Sequence, residues 1–130
     1  MIPADDDRCP CLSGLTYGEC CAPAHRGVTP SATAERLMRS RYSAFVVGDA
    51  PYLLATWHAD TRPATLDLDP AQRFYRLDIL SRTGGGMLEE TGTVEFVARF
   101  RLDGRASALH ETSRFVRQRG LWRYVDGTIH

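Results

Sequence analysis

Four cysteines crowded into the first fifth of the chain set the strongest constraint on how it folds. They fall in Cys9-Pro10-Cys11 and Cys20-Cys21, a C-x-C-x8-C-C spacing. Bridging Cys9 to Cys11 would close a very small ring, and a Cys20–Cys21 bridge would strain the intervening peptide, so neither local disulfide is favoured. Two thiolate pairs separated by a short loop can instead close a tetrahedral S₄ shell, the arrangement zinc prefers and iron also accepts. A catalytic thiol would leave three cysteines idle. The expectation is therefore one structural metal ion, Zn2+ with iron as the alternative, held by Cys9, Cys11, Cys20 and Cys21. Four thiolates around a divalent ion carry a net −2 charge, and Arg8, His25 and Arg26 are near enough in sequence to screen it.

The remaining composition narrows the chemistry by exclusion. Sixteen basic residues balance sixteen acidic ones in 130, so no overall field draws the chain to nucleic acid or an anionic membrane. All sixteen are arginine, which removes Schiff-base chemistry, a P-loop lysine and a lysine general base. The acidic start, Asp5-Asp6-Asp7, does not read as a signal peptide, and no apolar run nears the roughly 20 residues of a membrane span. A cytoplasmic protein is expected, in a compartment where clustered cysteines favour metal over disulfides.

Cys9-Pro-Cys11-x-Ser13-Gly14-x-x-Tyr17-x-x-Cys20-Cys21 resembles the SEC-C motif, the zinc knuckle at the C-terminus of the SecA translocation motor. That resemblance implies that Ser13-Gly14 turns the loop, Tyr17 packs on it, and Cys21 stands where histidine is often found. His25 is a weaker candidate ligand, since four thiolates already complete the shell. Further on, Arg39-Ser-Arg41-Tyr42-Ser-Ala-Phe45, Thr56-Trp57-His58, Leu109-His110-Glu111-x-Ser113-x-Phe115 and Trp122-x-Tyr-x-Asp126-Gly127 look like the YchJ family. The resemblance implies a SEC-C knuckle joined to a nuclear-transport-factor-2-like, or cystatin-like, cone of helices on a curved antiparallel sheet. It brings no reaction with it, so whether the chain is an enzyme stays open.

Periodicity gives the same α+β layout independently. The knuckle with its acidic tail occupies 1–27, and 28–130 forms the main domain. Thr29-Pro30 suits the start of a first helix, whose apolar positions Ala34, Leu37, Met38, Tyr42 and Phe45 recur at helical spacing until Gly48. Asp49 caps a shorter second helix with Pro51 in its first turn. From Phe74 the period falls to two. Strands are predicted over 74–82, 91–102, 105–118 and 121–126, with Asp103-Gly104 and Arg119-Gly120 as two-residue hairpin turns and Gly84-Gly85-Gly86 as a flexible break.

Those two hairpins let the sheet be registered. Val94, Phe96, Ala98, Phe100, Leu109, Phe115, Trp122 and Tyr124 fall on one face, against the helices. Glu111, Ser113 and Asp126 fall among them, unless a β-bulge shifts the count. Two carboxylates and a hydroxyl on an apolar face are costly unless paired or wetted. Either Glu111 or Asp126 bonds to Arg41, or to backbone donors, and fixes the helix on the sheet, the reading favoured here, or the group lines a cavity with Tyr42, Trp57 and Trp122 as walls. His58 reads as a surface residue. His110 and Ser113, three apart on one strand, point to opposite faces and cannot form a dyad.

Two functions follow. One is a zinc-knuckle adaptor for a protein partner, because the SEC-C resemblance implies contacts with chaperones or ribosomes. The other is a small-molecule binder or acid–base hydrolase or isomerase using Tyr42, Trp57, Glu111, Ser113, Trp122 and Asp126. The first is slightly favoured. Nucleic-acid binding is disfavoured by the neutral charge and by Glu95 amid the outer-face arginines.

Overall fold

The computed structural model describes residues 2–130. Helices α1 (Ala22–His25), α2 (Ala34–Val47) and α3 (Ala50–Ala55) precede four strands, β1 (Arg73–Gly84), β2 (Thr91–Leu102), β3 (Arg105–Gln118) and β4 (Leu121–Ile129). The strands pair in chain order as one antiparallel meander. This is the expected α+β arrangement, with α2 lying on one face of the sheet.

Both hairpin turns are of type I′. Asp103 and Gly104 have φ of 53° and 75°, and Arg119 and Gly120 have 52° and 79°, the left-handed pairs whose twist matches that of the strands. The β2–β3 register is the one the turn dictates, from Leu102 opposite Arg105 to Val94 opposite Ser113. Val94, Phe96, Ala98, Phe115 and Trp122 are all buried beneath α2.

The β3–β4 register departs from expectation at one point. Phe115 faces Tyr124, but Arg114 faces Asp126, so Val125 is an extra residue on β4. The bulge turns every later side chain to the other face. Ser113 consequently lies opposite Gly127, and Asp126 sits outside, paired with Arg114 at 2.6 Å. The physical cause is the segment after α3. His58 donates its backbone N–H to the Tyr124 carbonyl at 2.7 Å, Tyr124 donates to Thr56 O, and Thr61 Oγ1 donates to Val125 O. The free edge of β4 is thereby occupied at the bulge.

Helix α2 also starts later than Thr29-Pro30 suggests. Its N-cap is Thr33, whose Oγ1 accepts from Arg36 N at 3.1 Å. The Ala32 carbonyl accepts from Trp122 Nε1 at 3.2 Å, a tertiary bond that helps keep the preceding linker extended. The three-glycine turn has a packing role. The Gly85 carbonyl accepts from Ala34 N, and a Cβ on Gly85 would stand 2.7 Å from the Ala34 Cβ. Only glycine lets that turn close on the helix start.

Candidate metal centre and the inner face of the sheet

The knuckle is a small loop folded back on itself. Cys9 N donates to Leu15 O and Leu12 N to Cys9 O, while Leu12 (φ 62°) and Gly14 (φ 94°) take left-handed conformations that bring Cys11 round toward Cys20. All four cysteines are buried and none is in a disulfide. Their sulfurs lie within 4.8 Å of one another. The Cys11–Cys20 and Cys20–Cys21 separations are 3.6 and 3.8 Å. A tetrahedron with Zn–S bonds of ~2.3 Å has edges of about 3.8 Å, so the four thiols fit a divalent ion.

Crowding sets the thiols apart in acidity. Hydrogen bonds from Cys21 and Cys9 hold the Cys11 thiol far below its ordinary range, while Cys9, hydrogen-bonded to Cys11, is raised to about 11. Cys21 is raised further by the same neighbours and by burial. Metal binding at such a site would release the protons that Cys9 and Cys21 otherwise hold.

Helix α2 supplies the surrounding shell. Arg39 Nη1 donates to Cys11 O at 2.9 Å, Arg36 Nη1 approaches Cys20 Sγ at 3.6 Å and Ser43 Oγ lies 3.8 Å from Cys9 Sγ, while the knuckle's own Ser13 Oγ lies 3.2 Å from Cys20 Sγ. These arginines take the screening role assigned from sequence to Arg8, His25 and Arg26; Arg26 instead pairs with Asp5. Sequence reasoning missed Arg36, Arg39 and Ser43 because they are distant in the chain. Their three- and four-residue spacing along α2 was the available signal.

His25 is not placed as a ligand. Its Nε2 lies 2.8 Å from the Ser40 carbonyl and its Nδ1 2.7 Å from Tyr17 Oη. A carbonyl can only accept, so the neutral ring carries its proton on Nε2, and Nδ1 accepts from Tyr17. Both nitrogens are used to tie the knuckle to α2.

The inner face holds a different polar group. Ser113 Oγ donates to Glu111 Oε2 at 3.2 Å, and the Glu111 side chain lies over Gly127. Arg41 is buried, but no carboxylate lies within ion-pairing distance of it among the described residues. The expected Arg41 pairing with Glu111 or Asp126 is therefore corrected. Arg41 Nη1 instead donates to Leu53 O and Thr56 Oγ1, each at 2.7 Å, and its guanidinium lies over Tyr124 at 4.5 Å and Trp57 at 5.1 Å. Burial lowers its pKa to about 10. Tyr42 Oη and Trp57 Nε1 are buried with no hydrogen-bond partner, and burial pushes the Tyr42 phenol well above its usual range.

The predicted pocket residues are thus not gathered as expected. A cleft of about 520 Å³ opens between α1, the linker, α3 and the start of β4. Of the six, Trp122 alone lines it, beside His25, Tyr52 and Arg123. Tyr42, Trp57, Glu111 and Ser113 lie between α2 and the sheet, and Asp126 is on the outer surface.

Residues 33–127 match the family described as the middle NTF2-like domain of YchJ, and residues 7–23 match the SEC-C motif. The chain belongs to the YchJ family. Among its relatives, also called UPF0225 proteins, one from Corynebacterium glutamicum is 52% identical over 94% of this chain and 97% of its own length. Another, from Streptomyces coelicolor, is 52% identical over 92% and 93%. The solution structure of a SEC-C motif protein from Rhodopseudomonas palustris superposes with a TM-score of 0.82 at 36% identity, covering 92% of this chain and 96% of that one. A crystal structure of a SEC-C motif protein from Psychrobacter arcticus gives 0.78 at 27%, covering 97% and 84%. The fold therefore agrees with solved SEC-C motif proteins over more than nine-tenths of this chain. No helix of the described residues is long and apolar enough to cross a membrane.

Proposed function

We propose that this YchJ protein is a cytoplasmic interaction module whose knuckle holds one zinc ion and presents its loop to a protein partner. The observation that supports this most is the placement of Leu12 and Leu15. Both lie in the loop between the two cysteine pairs, and both are about two-fifths exposed. The loop spends a left-handed conformation at Leu12, unfavourable for a non-glycine residue, to hold that side chain where it is. The cysteines' other side is packed on α2, so the loop tip is the part of the knuckle left for contact. Four reduced thiols fit a reducing compartment.

The test is affinity capture with the full chain at native level, compared with Leu12→Ser/Leu15→Ser and with Cys20→Ser/Cys21→Ser, with elemental analysis of each. Zinc retained and a specific complex lost in the leucine variant would support the reading. An unchanged complex in both variants would overturn it.

The orphaned Tyr42 Oη, packed on Phe74 of β1, and Trp57 Nε1, packed on Tyr124 of β4, favour a second reading, a small polar ligand that reaches one of them, since buried polar groups ordinarily have partners. A compound that raises the melting temperature of the parent but not of Tyr42→Phe would favour it. No response across a broad polar library would count against it.

A further inference from the structure

The outer face of the sheet carries a second group of metal-ligating side chains, remote from the knuckle and untouched by the adaptor reading. Glu95 of β2, His110 of β3 and His130, just past β4, bring their ligating atoms within 4.8 Å of one another. The sheet register produces this. His130 N donates to His110 O at 2.9 Å, extending the β3–β4 ladder beyond Ile129. The two imidazoles stack with centroids 4.4 Å apart. Glu95 reaches His110 diagonally across the β2–β3 pair, with Oε2 2.7 Å from Nε2.

Two of the three donors are also steadied by a neighbour. Ser81, opposite Glu95 on β1, donates through Oγ to Glu95 Oε1 at 3.0 Å, and Thr112 Oγ1 lies 2.7 Å from His130 Nε2. Such outer partners fix ligand orientation in metal sites. The His110–Glu95 contact could serve only as a cross-strand pair, but that role does not need a second histidine stacked beside the first.

We infer that Glu95, His110 and His130 form a surface site for a borderline divalent ion such as Zn2+, Ni2+ or Cu2+. Two imidazole nitrogens and one carboxylate are the donor set these ions favour over Mg2+ or Ca2+. Three protein donors leave a coordination position open toward solvent, where water or a partner's side chain can bind. The ion takes the place of the hydrogen between Glu95 and His110, and the His130 ring, stacked on His110 at 30° with its Nε2 held by Thr112, turns to aim Nδ1 at the same ion. The sheet and α2 lie between this site and the cysteine centre, so the two fill independently.

The experiment uses the full chain with its cysteine site already loaded. Zn2+ is titrated by calorimetry, and Ni2+ is added separately while amide signals are followed by NMR. One further equivalent is expected, with Ni2+ broadening confined to residues around Glu95, His110 and His130. His110→Gln and His130→Gln should each weaken that binding ~100-fold or more, and Glu95→Gln, which can still hydrogen-bond to His110, at least ~10-fold. The cysteine-bound metal count of each variant should stay unchanged, showing that the fold survives. No extra equivalent at millimolar Zn2+, or unchanged affinity in the histidine variants, would overturn the site.

Discussion

The Arg39 guanidinium of α2 donates to the backbone carbonyl of Cys11, one of the four clustered cysteines, at 2.9 Å. The same side chain pairs with Glu35 one turn earlier, so the helix surface and the knuckle share one charge network. Truncating Arg39 removes a charged donor from a mostly buried contact, a loss of about 1.5–3 kcal/mol. Arg39→Ala is therefore expected to speed transfer of the cysteine-bound metal to a chelator by ~10-fold or more. Competition with a chromophoric chelator checks this. An unchanged transfer rate would show that the knuckle keeps its shape without the helix.

His25 should matter to stability rather than to metal content. His25→Ala deletes both its bond to Tyr17 and its bond to the Ser40 carbonyl, and is expected to cost about 1–3 kcal/mol. The bound metal should remain at one per chain. Denaturant unfolding and elemental analysis on the same sample separate the roles, and loss of metal from a folded variant would restore His25 as a ligand.

Glu35 gives an acid limb to stability. Burial raises its carboxyl pKa, but hydrogen bonds and charge from Arg39 and Arg82 more than offset this and leave it below the ordinary 4.5. A carboxyl depressed in the folded state stabilises fully above its unfolded pKa and loses that contribution as pH falls through the folded value. Relative to Glu35→Gln, the parent should be more stable by about 1 kcal/mol at neutral pH. The two melting curves should converge as pH drops below about 4.5. A gap that stays constant down to acid pH would contradict the pairing.

The β4 bulge predicts opposite outcomes at adjacent positions. A side chain on Gly127 would meet the flexible end of Glu111 and push its carboxylate away from Ser113 Oγ, so Gly127→Ala should destabilise by about 0.5–1.5 kcal/mol through the lost hydrogen bond. Asp126, exposed and paired only with Arg114, should tolerate Asn with almost no change in melting temperature. Were Asp126 inside as its turn-based register implies, Asn there would be the damaging change instead.

Much of this was legible in the sequence because the signals are local. Asp103-Gly104 and Arg119-Gly120 dictate their own turn type, and a two-residue turn fixes every pair up to the first irregularity. Alternation then assigns Val94, Phe96, Ala98 and Phe115 to the core. The cysteine spacing suggests a closed donor shell without any knowledge of the rest of the chain, because its ligands lie within thirteen residues.

Tertiary structure decided what depends on contact between distant segments. The Val125 bulge follows from residues 56–61 docking on the edge of β4, and it sent Asp126 outward. Arg41, which a sequence reading pairs with a carboxylate, is held by aromatic faces and by carbonyl and hydroxyl oxygens at the end of α3. Ser40 and Ser43 are buried because the knuckle covers the face of α2 that the sheet does not. The grouping of Glu95, His110 and His130 likewise exists only once three strands are in register. Local spacing encodes turns, alternation and a compact ligand set; which side of a helix or strand meets water is settled by what else packs there.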